Sequence, residues 1–252
     1  MKRLYQTEWQ GIRFSDFAEL SSTNVAAPEF YQRFYEEFFK RHQDWEQVSP
    51  SWRRGKQRWA EFILERIGAG RRVLSVGCGL GAVEHYIHSQ DPQVDLFIHE
   101  VAPSAWRWIG QEILEDHKFT GLIPACLPDG VQFDVVYLTA VDYQLDDDVL
   151  VGLLVALRRF LAPARGQCLL ISASFEETPG TLKDRAVLLV QRLKALAAAV
   201  LDTAGLRPRG QLWGWTRTQR EYQSLMRRAG YRDIEDGFID PDQLTHYWIA
   251  GR

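Results

Sequence analysis

The stretch RRVLSVGCGLGAVEHYI, residues 71–87, places a short apolar run directly before three glycines and a second, helix-like apolar run after them. Val73–Val76 predict a buried strand, and Gly77, Gly79 and Gly81 are separated by single residues. Glycines in such a turn let backbone N–H groups approach a ligand that side chains would keep away. The helix that follows offers free N–H groups at its first turn. The stretch therefore predicts a strand–turn–helix unit that binds a nucleotide-like ligand.

An acidic residue strengthens this interpretation. Glu100 lies 23 residues after Gly77 and ends a second predicted strand, 94–100. A carboxylate at that position can accept hydrogen bonds from both hydroxyls of a ribose. The turn also satisfies the dinucleotide fingerprint, with Ala82 as its third small residue, so an NAD(P)-dependent oxidoreductase stays an alternative. About 70 residues with helical patterns precede the turn and only about 175 follow Gly77, which disfavours a second nucleotide half.

Apolar strand patterns alternate with helical ones after residue 71, which predicts an α/β fold with a doubly wound, mainly parallel sheet. The predicted strands are 73–76, 94–100, 120–127, 133–138 and 167–175, and the predicted helices between them are 81–89, 103–116 and 147–161. Near the end come a helix closed by Gly230, a short strand and a terminal strand, THYWIAGR. This order predicts a reversed C-terminal strand.

Two regions lie outside the alternation. Residues 1–70 predict an N-terminal helical cap with aromatic faces, and residues 71–252 form the main domain. An insertion, 176–212, contains a long run with helical apolar spacing, and we expect it to be a lid or a homodimer contact.

The composition limits the class of function. The chain has 252 residues, 46% of them hydrophobic, and a formal net charge of −3, which disfavours a nucleic-acid-binding role. No apolar run reaches the ~18 residues of a membrane span, and no signal peptide is recognisable. Three widely spaced cysteines indicate reduced thiols, hence a cytoplasmic protein. His85 and His88 share a helix face but have no further ligand at matching spacing, so we predict no metal site.

As a set, these motifs resemble the class I S-adenosylmethionine-dependent methyltransferases of the small-molecule type. The matching segments are VLSVGCGLG (73–81), LFIHEVAPSA (96–105), FDVVYLTAVDY (133–143), RRFLAPARGQCLLI (158–171) and LMRRAGYRDIE (225–235). The resemblance implies a seven-stranded Rossmann-like sheet and S-adenosylmethionine as cofactor. It also implies a set of cofactor-binding positions: Gly77, Cys78, Gly79, Gly81, Glu100, Val101, Cys126, Leu127 and Thr139.

The chain departs from the family at two points. The acidic residue that often reads the adenine amino group is missing around Cys126, unless Asp129 reaches back. The two prolines that follow the fourth strand in amino-group methylases of nucleic-acid bases are also missing beside Asp142 and Tyr143. We therefore expect methylation of a small-molecule or glycan-like acceptor, with oxygen as the favoured atom. A non-catalytic cofactor-binding module is a further alternative.

Asp142 and Tyr143 are the catalytic candidates, since they could orient an acceptor hydroxyl or remove its proton. They could equally cap a turn and pack. The string QLWGWTRT, 211–218, combines large aromatic side chains with a cation, which suits a ring that carries an anionic group. The predicted acceptor-binding residues are Tyr31, Tyr35, Trp213, Trp215, Arg217 and His246, with Trp52 as a further wall residue. The tryptophans could instead pack the insertion onto the sheet.

Overall fold

The computed structural model describes residues 2–6, 8–13, 16, 28–68, 71–176, 211–240 and 245–251, with residues 190, 193, 197, 200 and 204. The strands, in chain order, are β1 Lys2–Gln6, β2 Glu8–Trp9, β3 Ile12–Arg13, β4 Arg72–Val76, β5 Asp95–Glu100, β6 Lys118–Thr120, β7 Val135–Thr139, β8 Gln167–Ser172, β9 Phe175–Glu176, β10 Gln211–Thr218, β11 Arg232–Asp240 and β12 Thr245–Gly251. The α-helices are α1 Pro28–Arg41, α2 Pro50–Ile67, α3 Ala82–Gln90, α4 Asp147–Arg159 and α5 Gln219–Arg228.

Seven strands form the central sheet, in the order β11-β12-β8-β7-β4-β5-β6. The neighbours from β8 to β6 pair in parallel, whereas β12 is antiparallel to both β8 and β11. The α/β fold with a mainly parallel sheet and a reversed C-terminal strand is thus confirmed. Because parallel strands end at the same edge, the glycine turn after β4, Glu100 at the end of β5 and Thr139 at the end of β7 lie close together.

Helices cover both faces of this sheet, which explains why the strands are apolar along their whole length. On one face, Leu74 and Val136 belong to a buried cluster with residues of α4 and α5. On the other face, Val73 and Val135 pack with residues of α2 and α3. The two layers fix the central strands so that their carboxyl ends point to one side of the domain.

Two predicted segments differ from the structure. The third strand is Lys118–Thr120 instead of 120–127, because Gly121 adopts a φ of +118° and Pro124 cannot donate to a strand ladder. The predicted helix 103–116 is a series of three short 3-10 helices, Pro103–Arg107, Ile109–Gln111 and Glu115–His117. Gly110 weakens helical propensity there, and Ile109 is drawn into the core against the glycine turn.

The N-terminal region is only partly helical. Helices α1 and α2 agree with the predicted helical character of this region, and the aromatic face of α1 is buried. The prediction of helices alone is wrong, however, because β1 pairs antiparallel with β10 and β2 pairs with β3. Strands β1, β10 and β9 form a separate three-stranded sheet. The first residues of the chain therefore join the segment that precedes α5.

The predicted insertion lies largely outside the described residues. Within 177–210 the structure describes only Val190, Leu193, Ala197 and Val200, which are helical, and Ala204. The roles of lid and dimer contact stay predictions, as does the division into a cap, 1–70, and a main domain, 71–252. Among the helices that the structure describes, none combines the length and the apolar character needed to cross a bilayer.

Gly81 and Gly152 offer a matched pair of substitutions. Gly81 has a φ of +76°, and a Cβ there would overlap Ile109, whereas a Cβ on Gly152 in α4 would meet open space. We expect Gly81→Ala to lower the free energy of unfolding by about 1–3 kcal/mol through strain and overpacking. Gly152→Ala should raise it by up to about 1 kcal/mol. Urea denaturation measures both, and equal effects would contradict the packed turn.

Candidate active site

The glycine turn is held against the neighbouring strand by backbone hydrogen bonds. The N–H groups of Gly77 and Cys78 both donate to the carbonyl oxygen of His99, at 2.9 and 3.0 Å. The N–H of Gly81 donates to the carbonyl of Cys78 at 3.0 Å, and that of Gly79 donates to Glu100. These four amides are thus used within the protein. The expectation that the glycine N–H groups themselves approach a ligand is corrected, because the turn offers a bare backbone surface instead.

Gly79 shows why the turn lacks side chains. Its φ is +57°, and a Cβ there would lie 3.1 Å from the hydroxyl oxygen of Tyr35. Tyr35 comes from α1, so this helix reaches directly over the turn. A larger residue at position 79 would fill the space between the two elements.

Glu100 ends β5 and is buried beside the turn. Its Oε2 accepts from the N–H of Gly79 and its Oε1 from the N–H of Val101, both at 2.8 Å. Burial raises the pKa of this carboxyl, and the amide donors oppose that rise. Each carboxylate oxygen has a second lone pair, so Glu100 can still accept hydrogen bonds from a ligand.

A cavity of about 1190 Å³ opens where β4, β5 and β7 end. One side is formed by the turn and the strand ends, and the other side is aromatic. The cavity brings together ten of the predicted site residues: Gly77, Cys78, Gly79, Glu100, Val101, Thr139, Tyr31, Tyr35, Tyr143 and Trp215. Further aromatic wall residues are Trp9, Phe34, Trp52 and Trp59.

Asp142, predicted as catalytic, does not line this cavity. Its side chain is fully buried, and its Oδ2 accepts hydrogen bonds from the hydroxyls of Ser172, at 2.7 Å, and Tyr222. Burial raises the pKa of Asp142, while Tyr222, Ser172 and Arg217 oppose the rise. The prediction that Asp142 contacts an acceptor is therefore corrected. Its carboxyl group ties the loop after β7 to β8 and α5.

Arg217, predicted to bind an acceptor anion, is also fully buried. Its Nε donates to Asp147 Oδ1 at 2.8 Å, and its terminal nitrogens donate to the carbonyl oxygens of Asp142, at 2.8 Å, and Leu145, at 2.5 Å. The prediction is wrong because the guanidinium is used to hold the loop 142–147. The guanidinium of this sequence motif therefore hydrogen-bonds to the backbone on either side of Tyr143.

Four other predicted residues lie away from the cavity. His246 is buried on β12, where its Nε2 contacts Asp236 Oδ2 at 2.9 Å and its ring stacks on Trp248. Gly81 faces Ile109. Cys126 and Leu127 do not reach the cavity because β6 ends earlier than predicted, and Leu122 and Ile123 line the wall instead. The side chain of Trp213 lies outside the described residues.

Sequence reasoning missed several polar residues on the wall, and Lys56 and His99 are two of them. His99 Nε2 contacts the carbonyl of Gly121 at 2.8 Å, and burial lowers the pKa of its imidazole. Lys56 shares one face of α2 with Trp52 and Trp59, and a basic residue inside an aromatic stripe could have indicated it. Within the described ranges, no group of three or more His, Cys, Asp or Glu side chains could hold a metal ion.

The chain resembles known proteins in its fold but not in its sequence. The sequence matches no protein-family model, and no curated protein sequence is significantly similar to it. The structure is similar to that of the mitomycin 7-O-methyltransferase, with 17% identity and a TM-score of 0.60 over 94% of this chain and 60% of the other. It is also similar to human N-acetylserotonin methyltransferase in complex with S-adenosylmethionine, with 17% identity and a TM-score of 0.55 over 90% and 56%.

A third similar structure is an O-methyltransferase family 2 protein from Planctomyces limnophilus in complex with apigenin. It shows 17% identity and a TM-score of 0.53 over 78% of this chain and 57% of the other. The chain thus spans 56–60% of the length of these three proteins. It has the same α/β Rossmann-like fold as these three proteins.

The buried position of Arg217 can be tested against a surface arginine on α5. We expect Arg217→Met to lower the free energy of unfolding by about 3–5 kcal/mol, because Asp147 and two carbonyl oxygens lose a buried donor. Arg228→Met removes a more exposed ion pair with Asp148 and should cost at most about 1 kcal/mol. Chemical denaturation of both variants gives the comparison. Similar costs would mean that Arg217 does not hold the loop.

Proposed function

We propose that this chain transfers a methyl group from S-adenosylmethionine to an oxygen atom of a small aromatic acceptor. The observation that carries the proposal is a single cavity that joins the glycine turn and Glu100 to an aromatic wall. Cavities for one small ligand commonly measure about 300–1,000 Å³. A volume of about 1190 Å³ therefore suits a cofactor together with an acceptor.

The cofactor half fits a nucleoside that carries an amino acid. Glu100 has lone pairs available for the ribose hydroxyls, and Gly77 and Gly79 line the cavity beside it without side chains. Val101 and Leu122 supply apolar surface for the adenine ring. When bound, S-adenosylmethionine supplies an electrophilic methyl group on a sulfonium that is a good leaving group.

The acceptor half is suited to a planar ring. Aromatic side chains favour stacked or edge-to-face contacts with other rings, and Tyr143 and Trp215 lie on this wall. The hydroxyl of Tyr31 is buried and has no hydrogen-bond partner among the residues that the structure describes. We infer that this hydroxyl orients the acceptor oxygen.

The tyrosines act as donors in this proposal. Burial raises the pKa of Tyr31 and of Tyr35, and the nearby Glu100 adds to the rise in both. At neutral pH both phenols therefore keep their protons. Alignment of two reactants can supply roughly 7–11 kcal/mol of a reaction barrier, so positioning by Tyr31 and Tyr143 suffices for an acceptor that ionises readily.

Two of the similar structures support the choice of acceptor class. One is named an N-acetylserotonin methyltransferase, another is complexed with apigenin, and both small molecules contain a hydroxylated aromatic ring. A glycan-like acceptor has less support, because the wall is rich in aromatic side chains and poor in charged ones. No specific observation favours the NAD(P)-dependent oxidoreductase. A cytoplasmic location and a homodimer stay predictions.

The cofactor assignment predicts a specific loss at Glu100. We expect Glu100→Gln to weaken S-adenosylhomocysteine binding by about 1.5–3 kcal/mol, because hydrogen bonds to a charged acceptor are lost. Glu112→Gln is the matched control, since Glu112 pairs with His85 and does not line the cavity. Isothermal titration calorimetry measures both. Wild-type affinity in Glu100→Gln, or NAD binding in place of S-adenosylhomocysteine, would refute the assignment.

The acceptor assignment predicts a separate effect at Trp215. Trp215→Ala should leave S-adenosylhomocysteine affinity within about twofold, because the substitution removes stacking on the acceptor and no contact with the cofactor. Its kcat/KM for methyl transfer to a phenolic acceptor should fall about tenfold or more, as expected for a lost aromatic contact of ~1.5 kcal/mol. Trp45→Ala, outside the cavity, is the control.

Transfer of a radiolabelled methyl group to a panel of phenols, including apigenin, provides the assay. If the wild-type protein binds S-adenosylhomocysteine but methylates no member of the panel or of a matching set of amines and alcohols, the alternative of a non-catalytic binding module gains the support.

A further inference from the structure

Lys56 is a cationic residue on the cavity wall whose neighbours are aromatic rings. It lies on the face of α2 that also carries Trp52 and Trp59. Its Nζ is 3.8 Å from the centroid of the Trp59 ring and 5.5 Å from that of Trp52. The ammonium group is thus held beside two aromatic faces while its side chain forms part of the wall.

Within the described residues, the charged side chains around the cavity do not form an ion pair with this ammonium group. Among the described wall residues, Lys56 is the only lysine or arginine, and the carboxylates are Glu100 and Asp146. Glu100 accepts from Gly79 and Val101, and Asp146 caps α4 by accepting from the N–H of Val149 at 2.9 Å. No carboxylate in the described part of the chain lies within 4.0 Å of Lys56 Nζ. Its charge is therefore available to a ligand.

The nearby carboxyl group of Glu84 does not form an ion pair with Lys56. Its Oε1 accepts from the hydroxyls of Ser75, at 2.6 Å, and Tyr137, at 2.9 Å, beneath the turn. Burial lowers the pKa of Lys56 to about 8, and the charge of Glu84 opposes this only in part. A ligand anion beside Lys56 would offset the desolvation of its ammonium group.

We infer that Lys56 binds a carboxylate group of a ligand in this cavity. A singly charged carboxylate fits better than a polyanion such as phosphate, because Glu100 and Asp146 line the same cavity. The aromatic faces of Trp52 and Trp59 exclude water beside the ammonium group and strengthen the ion pair. The inference rests on the proposed function, because it assigns a role within the same site.

Two sources could provide the carboxylate. One is the amino-acid end of the cofactor, and the position of Lys56 agrees with this source. Trp59, one helical turn away, packs in the same buried cluster as Cys78 of the glycine turn and Val83 of α3. The other source is a carboxylate on an aromatic acceptor. In both cases Lys56 pairs with a carboxylate, and ligands with and without that carboxylate distinguish the two sources.

The test compares Lys56→Met with the wild-type protein by calorimetry, with three probes. S-adenosylhomocysteine carries the amino-acid carboxylate, 5′-methylthioadenosine is a similar nucleoside without it, and benzoate is an aromatic carboxylate. For the cofactor source, Lys56→Met should bind S-adenosylhomocysteine about 10- to 100-fold more weakly and methylthioadenosine equally well. For the acceptor source, binding of S-adenosylhomocysteine should be unchanged and that of benzoate weakened by a similar factor.

Two controls accompany this test. Lys40→Met removes an exposed lysine of α1 that pairs with Glu37, and it should bind all three probes as the wild type does. Lys56→Gln keeps a polar side chain, and its thermal unfolding, with that of Lys56→Met, checks that the fold is intact. If one variant unfolds, the other is measured.

Two results would overturn the inference. One is unchanged binding of both S-adenosylhomocysteine and benzoate in a folded Lys56 variant. The other is an equal loss of all three probes, because a nucleoside without a carboxylate should be indifferent to Lys56. Failure of the wild-type protein to bind either nucleoside would instead refute the proposed function, and the benzoate comparison would still decide the role of Lys56.

Discussion

The carbonyl oxygen of His99 accepts hydrogen bonds from two successive amides, those of Gly77 and Cys78, and the site depends on this contact. It joins the end of β4 to the end of β5, which are already paired in parallel. Glu100, the next residue of β5, accepts from Gly79 and extends the contact along the turn. The turn is therefore shaped by the protein before a ligand arrives, which reduces the ordering cost of binding.

A second set of buried polar contacts holds the other side of the cavity. Asp142 accepts hydrogen bonds from Ser172 of β8 and Tyr222 of α5, and Arg217 of β10 donates to the backbone of the same loop. Buried polar groups need hydrogen-bond partners: the guanidinium of Arg217 has an ion pair with Asp147 as well as backbone acceptors, and the carboxyl of Asp142 has two hydroxyl donors on its Oδ2. Tyr143 follows Asp142 directly, so this network determines where its side chain stands on the wall.

The aromatic wall comes from segments that are distant in the sequence. Tyr31 and Tyr35 extend from α1, Trp52 and Trp59 from α2, and Trp215 from β10. The pairing of β1 with β10 brings the start of the chain to the segment that carries Trp215. One part of the chain thus forms the glycine-turn side of the cavity, and elements before and after it enclose the aromatic side.

Much of the glycine-turn side, the half proposed to bind the cofactor, could be predicted from the sequence, because its determinants are local. A strand, a glycine turn and a helix follow one another within residues 71–90, and Glu100 ends the next strand. Apolar runs and glycine spacing are read directly from neighbouring residues. The alternation of helices and strands, which predicts the parallel sheet, is equally local.

The aromatic side, the half proposed to bind the acceptor, was decided by the tertiary structure. Arg217 and His246 are of residue types that often bind ligands, but both have partners within the protein. Arg217 hydrogen-bonds to Asp147 and to backbone carbonyls, and His246 contacts Asp236, which the sequence could not reveal. Lys56 shows the reverse, since its place on the cavity wall, with no described carboxylate in ion-pair contact, is known only once α2 is placed against the cavity. Burial and pairing depend on contacts between segments far apart in the chain. Local sequence patterns carry no information on such contacts, whereas they do specify a turn built from five consecutive residues.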